Sequence, residues 1–219
     1  IDEIIENGLT KSITNLSLRL TRIHCNLEET NDLQNAIDET EELYKLTSDV
    51  ILLPLLFDFY LSVKDYNNAK IIAEKIPDDL SHNRQFYTYK PISKKMALGI
   101  LHFKLGELDK STSYLRAEIE SLKNRLNENP GDYELHRRLG LAYAYSNNKN
   151  SSLYEMKLAV SMLNVEVDAL YGPFFLFSLA EVYHLFGNKS EKQKILDNLN
   201  YLDAGILNYD LKESWRWKN

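Results

Sequence analysis

One short pattern recurs along this chain and restricts what it can fold into: a leucine, a small residue directly after it, an aromatic three residues on, and then a polar turn. Leu139, Gly140 and Tyr143 carry it in YELHRRLGLAYAYSNNKNSSLYEMKLAVSML, with the turn from Ser146 to Ser151. A second apolar period follows through Leu153, Met156, Ala159, Val160 and Leu163. This spacing predicts an amphipathic helix, a turn and a second amphipathic helix, with a small residue where the two cross. Leu179, Ala180 and Tyr183 repeat the cluster, and Gly187 ends that helix. Upstream, Leu98, Gly99 and His102 precede Gly106, and Leu56, Phe57 and Tyr60 precede Tyr66 and Ala69. The weakest copy has Ile23, His24 and Leu27 before Leu33 and Ala36. The residue early in each second helix falls at 36, 69, 111, 152 and 192, giving intervals of 33, 42, 41 and 40. A single helix pair cannot bury its own apolar stripes, so such pairs must stack on one another.

Composition agrees. Eight glycines and five prolines in 219 residues are too few for a many-stranded sheet protein with tight turns. At 44% hydrophobic residues the chain has material for a substantial core. A net charge of −6 argues against nucleic-acid binding by phosphate neutralisation. The lone Cys25 excludes an internal disulfide and any multi-cysteine zinc site. The run from Val50 to Phe57, interrupted by Pro54, is far too short to span a bilayer, so no membrane insertion is expected. The first residue is Ile1 rather than methionine, which suggests a fragment or a processed protein. No serine- or glycine-rich linker divides the chain, so a single domain over 1–219 is expected.

The leucine-glycine(alanine)-x-x-tyrosine cluster, the glycine or asparagine turn and the alanine of the second helix resemble the tetratricopeptide (TPR) repeat. The resemblance covers roughly residues 17–202. It implies an all-α, right-handed superhelix of about five antiparallel helix pairs, at 17–48, 49–80, 91–129, 132–165 and 172–203, with a capping tail at 204–219. The first interval lies close to the family's roughly 34-residue unit. The longer later intervals imply extended second helices. The early tryptophan of the family is absent, and Ser111, Ser152 and Lys192 stand where alanine is usual. The carboxylate clamp of chaperone-binding members is absent too, since Thr21, Cys25, Met96, Ile100 and Leu141 occupy its points. From about residue 130 the chain is similar to the TPR tail found behind TolB-like, adenylate-cyclase, kinase or winged-helix domains of bacterial signalling proteins. Trp215, Arg216 and Trp217 stand where that tail carries its aromatic segment. This resemblance implies a catalytic or DNA-binding domain outside the chain, and a cytoplasmic location.

Punctuation places the helix ends. Pro77 stops one helix before the long stretch DDLSHNRQFYTYK, and Ser93 or Pro91 opens the next. Asp132 is an expected N-cap, and Pro173 an expected first helical residue. Pro54 means that its helix either begins nearby or kinks there. Gly205 is expected to end the helix that starts near Ser190, and Ile206, Leu207, Tyr209, Leu211, Trp215 and Trp217 to fold back over the last pair with a tryptophan buried.

Chemical motifs are scarce. There is no phosphate-binding glycine loop and no paired-histidine motif, and His24 and Cys25 lie about 100° apart on a helix, a poor metal pair. The acidic groups Glu28–Glu29 and Glu39–Glu42 are expected on solvated faces. No catalytic, cofactor or metal residues are expected. TPR phase instead sends Phe103, Lys104, Arg137, Tyr145, Phe177, Glu181 and His184 toward the concave groove, a mixed aromatic and polar lining suited to a peptide or protein segment. Arg137 and Tyr145 are expected to project clear of the buried seam, with Arg137 taking either a partner carboxylate or a local ion pair. The leading expectation is a non-catalytic interaction module. An RNA-binding helical repeat, or an enzyme with a site in the helical core, are the alternatives.

Overall fold

The computed structural model describes residues 15–78, 92–169, 171–201 and 215–217. Over these residues the chain is all-helical. The helices are α1 (Leu16–Thr30), α2 (Leu33–Thr47), α3 (Leu52–Ser62), α4 (Tyr66–Lys75), α5 (Lys94–Lys104), α6 (Leu108–Glu128), α7 (Tyr133–Tyr145), α8 (Lys149–Met162), α9 (Gly172–Leu185) and α10 (Lys189–Tyr201), with a 3₁₀ turn at Trp215–Trp217. Consecutive helices pack as five antiparallel pairs, and the pairs stack in chain order.

Several helices begin where an acceptor side chain meets an orphan amide. Asn15, Asp32, Asp65, Ser93 and Asp132 accept from the backbone N–H three residues on, at 3.0 to 3.1 Å. The turns inside the pairs share one construction. Asn31, Lys64, Gly106, Asn147 and Gly187 all adopt left-handed backbone, with φ between 55° and 74°. After four of them the next amide reaches back to the helix: Asp65, Glu107, Asn148 and Asn188 donate to the carbonyls of Tyr60, His102, Tyr143 and Tyr183 at 2.8 to 2.9 Å. This is a Schellman closure, and the aromatic of each sequence cluster supplies its acceptor carbonyl. The left-handed residues are spaced by 33, 42, 41 and 40, five positions before each sequence-aligned second-helix residue.

The crossings explain the small residues. A Cβ on Gly140 would lie 3.0 Å from the Met156 amide nitrogen, and one on Gly99 would lie 2.7 Å from Leu115 side-chain carbons. Ser111 and Ser152, buried where alanine is usual, donate to the Gly99 and Gly140 carbonyls at 2.8 Å each. The hydroxyl thus satisfies itself at the seam that the glycine opens. Helix α3 is buried on nearly every side, with Leu52, Leu53, Leu55, Leu56 and Phe57 almost inaccessible. An all-round apolar helix belongs in the centre of a stack.

Polar bolts join neighbouring helices. Arg138 of α7 donates to Glu118 of α6 at 2.9 Å, both buried. His136 pairs with Glu155 of α8 at 2.6 Å through one ring nitrogen and contacts the Pro130 carbonyl at 3.0 Å through the other. The Glu39–Glu42 group does not lie wholly on a solvated face. Glu39 accepts from Arg22, and Glu41 accepts from the Tyr60 hydroxyl, because α1 and α3 flank α2. Cys25 is half-buried.

Three other expectations are refined. Pro54 falls in the first turn of α3, where its missing N–H would be unbonded anyway, so the helix begins beside it. Gly172, not Pro173, is the first residue of α9. Among the described residues, only α6, at 21 residues, is an extended second helix. Helix α4 stops at Lys75 ahead of Pro77, and α8 stops at Met162, so the other long intervals place their extra residues between pairs. After α8, Asn164 turns the chain by accepting from the amides of Glu166 and Val167 at 2.9 Å. The stretch from Leu80 to Lys90, Gly205, and the apolar residues Ile206 to Leu211 lie outside the described residues. No described helix is long and apolar enough to cross a membrane.

Candidate functional site

First helices of successive pairs also touch one another, α5 with α7 and α7 with α9, and a polar cluster gathers where α3 and α9 meet the Trp215–Trp217 turn beside α7. Phe177, Glu181 and His184 follow one another on α9 at helical spacing, so they share one face. Glu181 is only 3% exposed. One of its oxygens accepts from the Tyr145 hydroxyl of α7 at 2.6 Å. Burial and the Glu181 charge both push the Tyr145 phenol well above its usual range, so it remains a donor. Phe103 packs edge-on against the Tyr145 ring at 5.3 Å and holds it in place.

The other oxygen of Glu181 accepts from the tail. The Arg216 Nε–H donates to it at 3.1 Å, and the Arg216 NH2 group donates to Asp58 of α3 at 2.7 Å. The same guanidinium lies over the Phe177 ring at 5.9 Å. Trp217, the next residue, stands edge-on to Phe177 at 5.4 Å and to His184 at 5.5 Å. Lys192 of α10 places its ammonium 5.2 Å from the Trp217 ring centre. The cluster between α3, α7 and α9 therefore already holds an arginine and an aromatic from the same chain.

The surrounding cations register this crowding. Burial lowers the Lys104 pKa, Arg216 and Lys64 lower it further, and Glu181 opposes them. The His184 pKa is lowered by burial first, then by Lys192 and Lys104. Among the described residues, no group of three histidine, cysteine, aspartate or glutamate side chains is arranged to hold a metal ion.

Of the seven residues expected in the groove, six converge here: Phe103, Lys104, Tyr145, Phe177, Glu181 and His184. Arg137 stands apart. It forms a two-pronged pair with Glu134, donates to the Ser178 hydroxyl at 3.2 Å and lies over Phe175 at 5.9 Å. The expectation that Arg137 and Tyr145 project clear of the seam is corrected, since they are 2% and 4% exposed. Packing of α9 across α7 covers both, and Arg137 takes the local ion pair. Asp58 and Arg216 were missed as site residues. Asp58 is the lone charge in the apolar stretch from Val50 to Leu61, a signal that could have identified it. Lys192 signalled itself by standing where an alanine is usual.

No family model matches the chain, and no curated protein matches it. Solved structures do resemble it. TTC0263, a thermophilic TPR protein of Thermus thermophilus, superposes with a TM-score of 0.51 at 19% identity, covering 87% of this chain and 92% of its own. Weaker likenesses are to PilW, a type IV pilus biogenesis factor (TM-score 0.45, 16% identity, 90% and 82% coverage), and to YrrB, a TPR protein with an unusual peptide-binding site (0.39, 16%, 90% and 91%). The likeness to TTC0263, together with the all-helical pairs, shows that this chain has the TPR superhelical fold.

Proposed function

We propose that the chain is a non-catalytic interaction module whose concave face binds an extended segment of a partner protein, within a single solenoid domain. One observation carries this reading: the face between α3, α7 and α9 already accommodates a non-solenoid segment, the Trp215–Trp217 turn, through a buried carboxylate and an aromatic wall. Phe103, Lys104, Tyr145, Phe177, Glu181 and His184 form the contact surface in this reading, and Arg137 braces it. The net charge of −6 supports a protein partner over a nucleic acid. The resemblance of residues 130–219 to signalling-protein tails supports a regulatory or scaffolding role beside a separate output domain in a cytoplasmic bacterial protein.

Selection of random peptides on the full chain carrying Arg216→Ala, in which the tail's arginine does not compete for Glu181, tests the reading. Peptides that bind this chain and lose at least about tenfold in affinity when Glu181→Gln is added are expected, since a charge-assisted bond at a buried acceptor contributes about 1.5–3 kcal/mol. Enriched peptides that bind the Glu181→Gln chain equally well would move the binding surface off the concave face.

A further inference from the structure

The tail contact has a chemistry of its own. Two carboxylates from helices far apart in sequence, Asp58 on α3 and Glu181 on α9, grip different edges of one guanidinium, at NH2 and at Nε. Glu181 is aimed by Tyr145, and Tyr145 by Phe103, so the acceptor is oriented by groups that belong to the solenoid rather than to the tail. Phe177 supplies a ring face to the same cation and an edge to the next residue. Beyond it, His184 and Lys192 complete a slot for an aromatic ring. These are two adjoining subsites, one for a planar cation and one for an aromatic side chain, at the spacing of neighbouring residues. A lysine ammonium is a single compact charge and cannot present two separated N–H edges to two carboxylates as a guanidinium does. The contact also keeps a route to solvent, because the Asp58 side chain is 29% exposed and Trp217 is half-buried.

We propose that the groove between α3, α7 and α9 is a recognition site for an arginine followed by an aromatic residue, that Arg216 and Trp217 are its built-in occupant, and that a partner peptide bearing the same pair competes with them. This rests on the reading that the concave face binds protein segments, and it specifies the ligand and its regulation. A tethered occupant acts at an effective concentration in the millimolar range, so an external peptide must outcompete it. The tail thus sets a threshold below which weak or incorrect peptides leave the groove closed.

The probe is a fluorescein-labelled nonapeptide with the sequence of residues 211–219, LKESWRWKN, titrated against the full chain. Expected is at least roughly tenfold tighter binding to the Arg216→Ala/Trp217→Ala double variant than to the wild type. A comparable loss is expected when the peptide arginine is changed to lysine, or when Asp58→Asn is added to the double variant. Equal binding by wild type and double variant, no binding by either, or indifference to the arginine-to-lysine change would overturn the proposal. Should the double variant fail to give a cooperative thermal melt, the Arg216→Lys chain replaces it, with tighter peptide binding than the wild type expected and equal binding overturning. Light scattering adds a second arm: a wild-type dimer abolished by Arg216→Ala would assign the groove to the tail of another copy and reject the external partner. Random-peptide selection on the vacated chain separates this inference from the broader one. An enriched arginine-aromatic core that is lost on Glu181→Gln supports both. Enriched peptides without arginine, still lost on Glu181→Gln, overturn the inference and retain the interaction module. Enrichment independent of Glu181 overturns both.

Discussion

Gly140 shows how closely a single residue controls a helix crossing. Its missing Cβ leaves the Met156 backbone within contact, and backbone cannot move aside as a side-chain end can. Gly140→Leu should therefore lose on the order of 1–3 kcal/mol through overpacking, read as a lowered urea midpoint. Ser152→Ala should lose about 1 kcal/mol by removing the hydrogen bond to the Gly140 carbonyl. His24, in the first pair, offers a pH test. Burial lowers its pKa from 6.5 to about 4, so the folded chain resists protonation that the unfolded chain accepts. Stability from the neutral ring is complete above pH 6.5 and is lost as pH falls from 6.5 toward 4, up to about 3 kcal/mol. His24→Gln should flatten the fall in melting temperature across that window, and an unchanged slope would place the acid sensitivity elsewhere. The role of Gly140 was legible in the sequence because a glycine within a helical period has few other uses. The fate of Arg137 was not, because its hydrogen-bond partner Ser178 lies 41 residues away and only packing of α9 on α7 reveals that it is covered.

The helix-turn-helix element repeats more faithfully than any residue in it. The five left-handed positions inside the pairs are filled by asparagine, lysine, glycine, asparagine and glycine, yet each lies five residues before the aligned second-helix position. The intervals read from sequence therefore measure turn to turn, and they do not tell where the extra residues go. A period records how many residues separate two turns; it does not record whether they extend a helix, as in α6, or a connection, as after α4 and α8. Pro77 and the Asn164 turn decide that locally. Lys64 is the strained member of the set, a long side chain at φ 59° where glycine sits without cost. Lys64→Gly should raise stability by about 0.5–1 kcal/mol, partly offset by the greater freedom of glycine in the unfolded chain. Gly106→Ala, at φ 74° with open space around it, should lower stability by a similar amount through backbone strain alone. Thermal melts of the two variants check both signs.

At the scale of the whole molecule, the solenoid is a line of nearest neighbours, and each pair leans on the next. The tail could be suspected from its two tryptophans, but its destination could not: Arg216 pairs with Asp58 across 158 positions of sequence, and no local period encodes such a contact. Trp215 and Trp217 are the chain's only tryptophans, and Trp217 packs on Phe177 and His184. Arg216→Ala should shift native tryptophan emission to longer wavelength; an unshifted spectrum would mean that the aromatic stays docked without its cation. A line of springs whose far link is tied back to an early one becomes a loop, and a loop does not fray from its ends as a line does. Hydrogen exchange should register the difference. With the tie in place, the amides of α3 and α9 are expected to open together, whereas in Asp58→Ala the α9–α10 pair should exchange ahead of α3.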